Sequence, residues 1–91
     1  MAVEIQIPAP LRSHTEGQDT VHSEGKDVQS VLSDLSNKYP AITDRLFDPS
    51  GQLRRFVNIY VNDEDIRFLE QMATPLKPGD RVSIIPAVAG G

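Results

Sequence analysis

Residues 26–40 read KDVQSVLSDLSNKYP. In this stretch Val28, Val31, Leu32, Leu35 and Tyr39 recur at i, i+3, i+4, i+7 and i+11, which draws one apolar stripe along a helix. The spacing predicts a helix from about Lys26 to Lys38. Glu24 and Asp27 lie near its start and Lys38 near its end, as the helix dipole favours, and Pro40 forbids continuation. A lone amphipathic helix must bury its stripe against something. The flanking sequence supplies strands to bury it against.

Towards the N-terminus, Val3, Ile5 and Ile7 alternate with Glu4 and Gln6, the period of a half-buried strand. Pro8 and Pro10 end it. Arg12 to Gln18 is polar, with Gly17 a turn candidate, and Asp19 to Ser23 is predicted to return as a second strand of a hairpin. Towards the C-terminus, Ile42 to Phe47 is predicted as a helical turn with Ile42 and Leu46 on one side, and Asp48-Pro49-Ser50-Gly51 as a turn. A strong strand is predicted over Arg54 to Val61, with Val57, Ile59 and Val61 on one face and Phe56, Asn58 and Tyr60 on the other. Asn62 to Asp65 reads as an acidic, solvated turn, and Ile66, Phe68 and Leu69 as a short edge strand or turn. Pro78-Gly79-Asp80 is a tight turn into the last strand, Arg81 to Pro86. There Val82 and Ile84 face one way, and Arg81, Ser83 and Ile85 the other.

One sheet with the helix packed on one face is the simplest way to bury these faces. The order and spacing are similar to the β-grasp fold of ubiquitin. The expected architecture is therefore α+β: a mixed sheet of four to five strands, one main helix, and a flexible Gly-Gly tail. Residues 1–86 form the domain and residues 87–91 the tail. In that fold the final strand is central, between the first strand and the Arg54–Val61 strand, so the tail would leave from the most rigid part of the domain.

Composition narrows the function. The 91 residues suffice for one domain. Cysteine is absent, which removes disulfides, thiolate nucleophiles and cysteine-ligated metals. Thirteen acidic against nine basic residues give a net charge of −4, a poor match for nucleic acid, which needs a basic patch. No apolar run reaches the roughly 20 residues of a membrane helix, and MAVEIQIPAP lacks the basic start of a signal peptide. A cytoplasmic monomer that touches neither nucleic acid nor membrane is the expectation.

Groups for catalysis are scarce. His14 and His22, the two histidines, have no carboxylate or serine set to match, so surface or structural roles are expected. Asp63, Glu64 and Asp65 lack calcium-loop spacing and cannot converge easily on one ion. Gly79 stands alone, not in a phosphate-binding loop. The chain is therefore expected to be no enzyme and to bind no metal or cofactor itself.

The tail remains. Two terminal glycines arise by chance in about 0.5% of chains at a glycine frequency of about 7%. A floppy end is the plain explanation. Yet Ala87-Val88-Ala89-Gly90-Gly91 follows a strand-ending proline with no charge after Arg81, whereas a solvated tail is usually more polar. So little side-chain bulk suits insertion into a narrow enzyme channel, and glycine lets catalytic groups come close to the backbone. A terminal carboxylate is inert at neutral pH and needs activation, for example as an acyl-adenylate, before a nucleophile can attack it.

The segment Leu76–Gly91, LKPGDRVSIIPAVAGG, resembles the C-terminal signature of the MoaD and ThiS sulfur carriers. RFVNIYVNDEDIRF, from Arg54 to Phe68, IPAPLRSHTEGQ, from Ile7 to Gln18, and the AVAGG end resemble the CysO subgroup, and the likeness covers nearly the whole chain. Leu69 to Lys77 diverges most. The resemblance implies that an E1-like enzyme of the MoeB, ThiF or MoeZ type uses ATP and Mg to adenylate the Gly91 carboxylate. A sulfur donor would then displace AMP to leave a thiocarboxylate, with Gly90, Ala89, Val88 and Ala87 recognised as the tail.

In the CysO route the acceptor is a cysteine synthase that carries pyridoxal phosphate (PLP) and makes aminoacrylate from O-phosphoserine. A JAMM-type metallopeptidase then releases cysteine from the carrier. Molybdopterin, thiamin-thiazole or a sulfur-containing secondary metabolite are other destinations for the same chemistry. Ubiquitin-like protein modification, or a non-covalent β-grasp interaction module, would use the fold differently. If Val57, Ile59, Val82 and Ile84 are core, then Phe56, Tyr60 and Ile85 face outward as a candidate partner-binding patch.

Overall fold

The structure, a computed structural model, describes residues 2–55 and 57–86. Strand β1 (Ala2–Gln6) pairs antiparallel with β2 (Thr20–Glu24), with Val3 opposite Ser23 and Ile5 opposite Val21. The connection between them is more ordered than its polarity predicts. Ala9–His14 forms a 3-10 helix that buries Leu11. Pro8 and Pro10 have φ fixed near the value this tight helix needs. Arg12 Nε donates to the Ile7 carbonyl at 3.0 Å, and the buried Thr15 hydroxyl donates to Gln18 O at 3.0 Å.

Helix α1 (Val28–Lys38) begins with the apolar stripe at Val28, two residues after the predicted start near Lys26, because Asp27 caps it. The Asp27 carboxylate accepts from Ser30 N at 2.8 Å, while Ser30 Oγ accepts from Asp27 N at 3.2 Å. These bonds satisfy backbone donors that have no partner inside the helix. Gly25 permits the tight approach: a Cβ there would lie 2.8 Å from Val31 N and 2.7 Å from Ser30 Oγ. Midway along α1, Asp34 accepts from Glu24 N at 3.1 Å and pairs with Lys38 at 3.3 Å. Lys38 in turn donates to the His22 carbonyl at 2.6 Å. The helix is thereby tied to β2 along its polar flank as well as through its apolar stripe.

A 3-10 turn (Pro40–Ile42) and the short α2 (Thr43–Leu46) follow, burying Ile42 and Leu46 at the predicted i, i+4 spacing. The next strand is shorter than its sequence suggests: β3 spans Val57–Val61 rather than starting at Arg54. Arg54 N donates to Leu46 O at 2.8 Å and Val57 N to Arg54 O at 3.0 Å, so the backbone there closes turns and cannot run in a ladder. Strand β4 (Glu64–Asp65) returns along β3 through a two-residue turn at Asn62 and Asp63, whose φ angles are +49° and +73°. Asparagine and aspartate tolerate that left-handed geometry better than most residues. Ile66–Phe68, the candidate edge strand or turn, is a 3-10 turn.

The last strand, β5 (Arg81–Pro86), has its predicted bounds. The order is β2-β1-β5-β3-β4, with β1 and β5 parallel and all other neighbours antiparallel. This is the mixed five-stranded β-grasp sheet, and β5 lies at its centre. One face carries Val3, Ile5, Val57, Ile59, Val61, Val82 and Ile84, all buried against Val28, Val31, Leu32 and Leu35 of α1. Leu11, Ile42, Leu46 and Ile66 close the edges of this core.

Candidate functional site

The site is built around β5 and the outer sheet face. Two neighbours hold β5 in place: β1 with Ile5 beside Val82, and β3 with Ile59 opposite Ile84. Its entry is fixed by a small polar lock. Asp80 accepts from Lys77 N at 2.8 Å and from Asn62 Nδ2 at 3.0 Å, and Arg81 N donates to Asn62 Oδ1 at 3.0 Å. The bond from Lys77 N, then that from Asn62, lowers the Asp80 pKa from its ordinary value. Gly79, at φ +90°, makes the turn before it. The strand is therefore anchored at its start and on both sides, and it delivers the chain to Pro86, opposite Val57. The tail residues Ala87, Val88, Ala89, Gly90 and Gly91 lie outside the described residues, as does Phe56.

Strand registers assign the outer face. Thr20, Gln6, Ser83, Tyr60 and Asp65 are successive cross-strand partners, one continuous row across all five strands. The next row towards the end of β5 is Asn58 opposite Ile85. Tyr60 and Ile85 are thus diagonal neighbours on the face away from the helix, about 7–8 Å apart by general sheet geometry. Ile85 is 45% exposed, and Tyr60 is half-buried. The neighbouring strand positions on this face, Gln6, Asn58 and Ser83, are polar, while the most exposed large apolar side chain among the described residues is Phe68, 83% exposed in the turn after β4.

Asp65 departs from the sequence reading. It is not part of a solvated turn: it is only 6% exposed and belongs to β4. Arg67 grips it through Nη2 at 2.7 Å and Nε at 3.1 Å, and Arg67 N donates to it at 2.9 Å. The side-chain bonds from Arg67, then its backbone bond, lower the Asp65 pKa, and Asp65 raises that of Arg67. An Asp-x-Arg spacing is too common to announce such a pair in sequence. Asp63 and Glu64 are exposed. His22 lies exposed on the outer face of β2 opposite Glu4, and His14 ends the first 3-10 helix. Among the described residues no three His, Cys, Asp or Glu side chains gather closely enough to hold a metal ion. No helix among them is long and apolar enough to cross a membrane.

Comparison with known proteins matches this architecture to one family. Residues 5–91 match the ThiS family model. The chain is 54% identical over 93 residues to the sulfur carrier protein CysO of Mycobacterium tuberculosis, with both chains covered in full. It superimposes with a TM-score of 0.90 on a chain of the crystal structure of the Amycolatopsis orientalis BexX/CysO complex, at 42% identity, covering 99% of this chain and 100% of that one. The crystal structure of Mycobacterium tuberculosis CysO gives a TM-score of 0.86 at 52% identity, covering 94% of this chain and 99% of that one. On the family match and the full-length identity, the chain belongs to the ThiS family and is a sulfur carrier protein of the CysO, MoaD and ThiS type.

Proposed function

We propose that the carboxylate of Gly91 is the working group of this carrier and cycles between carboxylate and thiocarboxylate. The observation that carries the reading is the full-length identity of 54% to a CysO sulfur carrier, joined to a central strand that hands the chain to a Gly-Gly end. In the first step an E1-like enzyme, with ATP and Mg, directs a Gly91 carboxylate oxygen onto the α-phosphorus. Pyrophosphate leaves and an acyl-adenylate forms. A sulfur nucleophile then attacks the acyl carbon and expels AMP, which carries off the original oxygen. The thiocarboxylate so formed holds sulfur as a soft nucleophile on a macromolecule, so free sulfide need not accumulate.

The division of labour follows from chemistry. The carrier supplies an unhindered acyl end and a recognisable surface, while its partners supply the catalytic groups. Gly90, Ala89, Val88 and Ala87 let the end thread a narrow channel. Tyr60 and Ile85 form the docking patch, and the existence of a CysO structure in complex with BexX supports the idea that carriers of this type present a surface to a protein partner. The preferred acceptor is a PLP-dependent cysteine synthase acting on O-phosphoserine, with a JAMM-type metallopeptidase freeing the product.

Pyrophosphate release tests the first step. With ATP, Mg and an activating enzyme of the MoeB, ThiF or MoeZ type, the full chain should release pyrophosphate stoichiometrically. A chain lacking Gly90 and Gly91 should release none. Equal release from both would sink the assignment to Gly91. Transfer from the loaded carrier to purified acceptor enzymes then separates cysteine synthesis from molybdopterin or thiazole supply.

A further inference from the structure

Strand β4 covers β3 only at Tyr60 and Val61, so among the described residues the side of β3 away from β5 has no strand beside it along Val57–Ile59. The ladder fixes what this edge offers. Asn62 N donates to Arg81 O at 2.9 Å. In an antiparallel pair the amides alternate in direction, so those of Asn58 and Tyr60 face β5 while those of Val57, Ile59 and Val61 face away. Val57 N is engaged by Arg54 O. Ile59 N–H and Val57 C=O are directed towards the open side.

That side is a cleft of about 740 Å³. Leu53 and Met72, both half-buried, give it an apolar lining, and Arg54, Arg55 and Arg67 line it as well. Three of the nine Lys and Arg residues of a chain with net charge −4 therefore meet at one place. The one acidic lining residue, Asp65, is matched by Arg67. The cleft also borders Val57, opposite the Pro86 from which the chain leaves β5.

We propose that this cleft docks an extended acidic segment of a partner protein, laid as an added strand along Val57–Ile59 with its carboxylates at Arg54 and Arg55, the Arg67 charge being met by Asp65. A strand edge gives main-chain hydrogen bonds to any extended peptide, and the alternating side chains confer selectivity. Here the apolar lining receives one set of side chains and the arginines receive the other, which must be acidic. This cleft adjoins the outer face at Asn58 and Asp65 but is not lined by Tyr60 or Ile85, and it makes no use of the Gly91 chemistry.

The test uses the full chain, labelled with ¹⁵N, without ATP or enzyme. Its probe is a capped hexapeptide of alternating Asp and Val. Saturable shift changes are expected at the amides of Arg55, Val57, Ile59 and Arg67, leaving the amides of β2 unmoved. Arg55→Glu, an exposed position, should weaken binding about fivefold, and the same peptide N-methylated at every residue should bind at least as weakly. Added salt should weaken the interaction further. The proposal is overturned if the peptide of alternating Lys and Val binds as tightly, if N-methylation has no effect, or if the shifts centre on β2. It is also overturned if the free chain sediments as a dimer with the Ile59 amide protected from exchange, because a second copy would then be the occupant. Each result is independent of whether Gly91 is ever adenylated.

Discussion

Gly25 has no space for a methyl group, because a Cβ would come within 2.9 Å of three atoms of Ser30 and Val31, one of them backbone nitrogen. Gly25→Ala should therefore cost about 1–3 kcal/mol, read as a lower midpoint in urea unfolding. Asp27→Ala removes the helix cap and should cost about 1 kcal/mol. Ile85 is the opposite case. It is exposed at the end of the central strand on the outer face, so Ile85→Asp should leave stability within about 0.5 kcal/mol. Affinity for the activating enzyme, followed by titration, should drop about tenfold if Ile85 is part of the docking core. Unfolding of that variant would show that the side chain packs inward, and unchanged affinity would remove Ile85 from the patch.

At the scale of elements, the fold depends on β5, whose Val82 and Ile84 are almost fully buried between two neighbours and the helix. Ile84→Ala should cost about 2–5 kcal/mol, several times the effect of Ile85→Asp, when the two are compared in the same denaturant titration. The elements with a simple period were legible in sequence: the stripe of α1, the alternation of β1, and the inward Val82 and Ile84 of β5. What was hidden depends on hydrogen bonds that periodicity does not report. The 3-10 helix at Ala9–His14 is held by the Thr15 hydroxyl and Arg12, and the late start of β3 by the bonds of Arg54 and Val57. Of the candidate site, the outward positions of Tyr60 and Ile85 followed from alternation. The Asp65–Arg67 pair and the basic cleft were not foreseen, because both arise where a short strand stops and turns.

For the whole molecule, five carboxylates shape the response to acid. Asp27, Asp34, Asp48, Asp65 and Asp80 all titrate below their ordinary value of 3.8 in the folded state, each chiefly because it accepts hydrogen bonds. A carboxyl that binds its proton less readily when folded stabilises the fold above its unfolded pKa, and that contribution is lost as pH falls through the folded value. The thermal midpoint should therefore be flat from neutrality to about pH 5 and decline below about pH 4. A midpoint that rises on acidification would contradict the hydrogen bonding assigned to these groups.

The proposed carrier chemistry requires a compact sheet that presents one chemically activated end to other proteins. Intact-mass spectrometry of the chain, after incubation with ATP, Mg, an activating enzyme and a sulfur donor, examines that end directly. Exchange of one carboxylate oxygen for sulfur should add about 16 Da, confined to the fragment containing Gly91 and absent when ATP is withheld. A mass that stays unchanged with partners competent on another carrier of this family, or a shift mapped to any other residue, would contradict it.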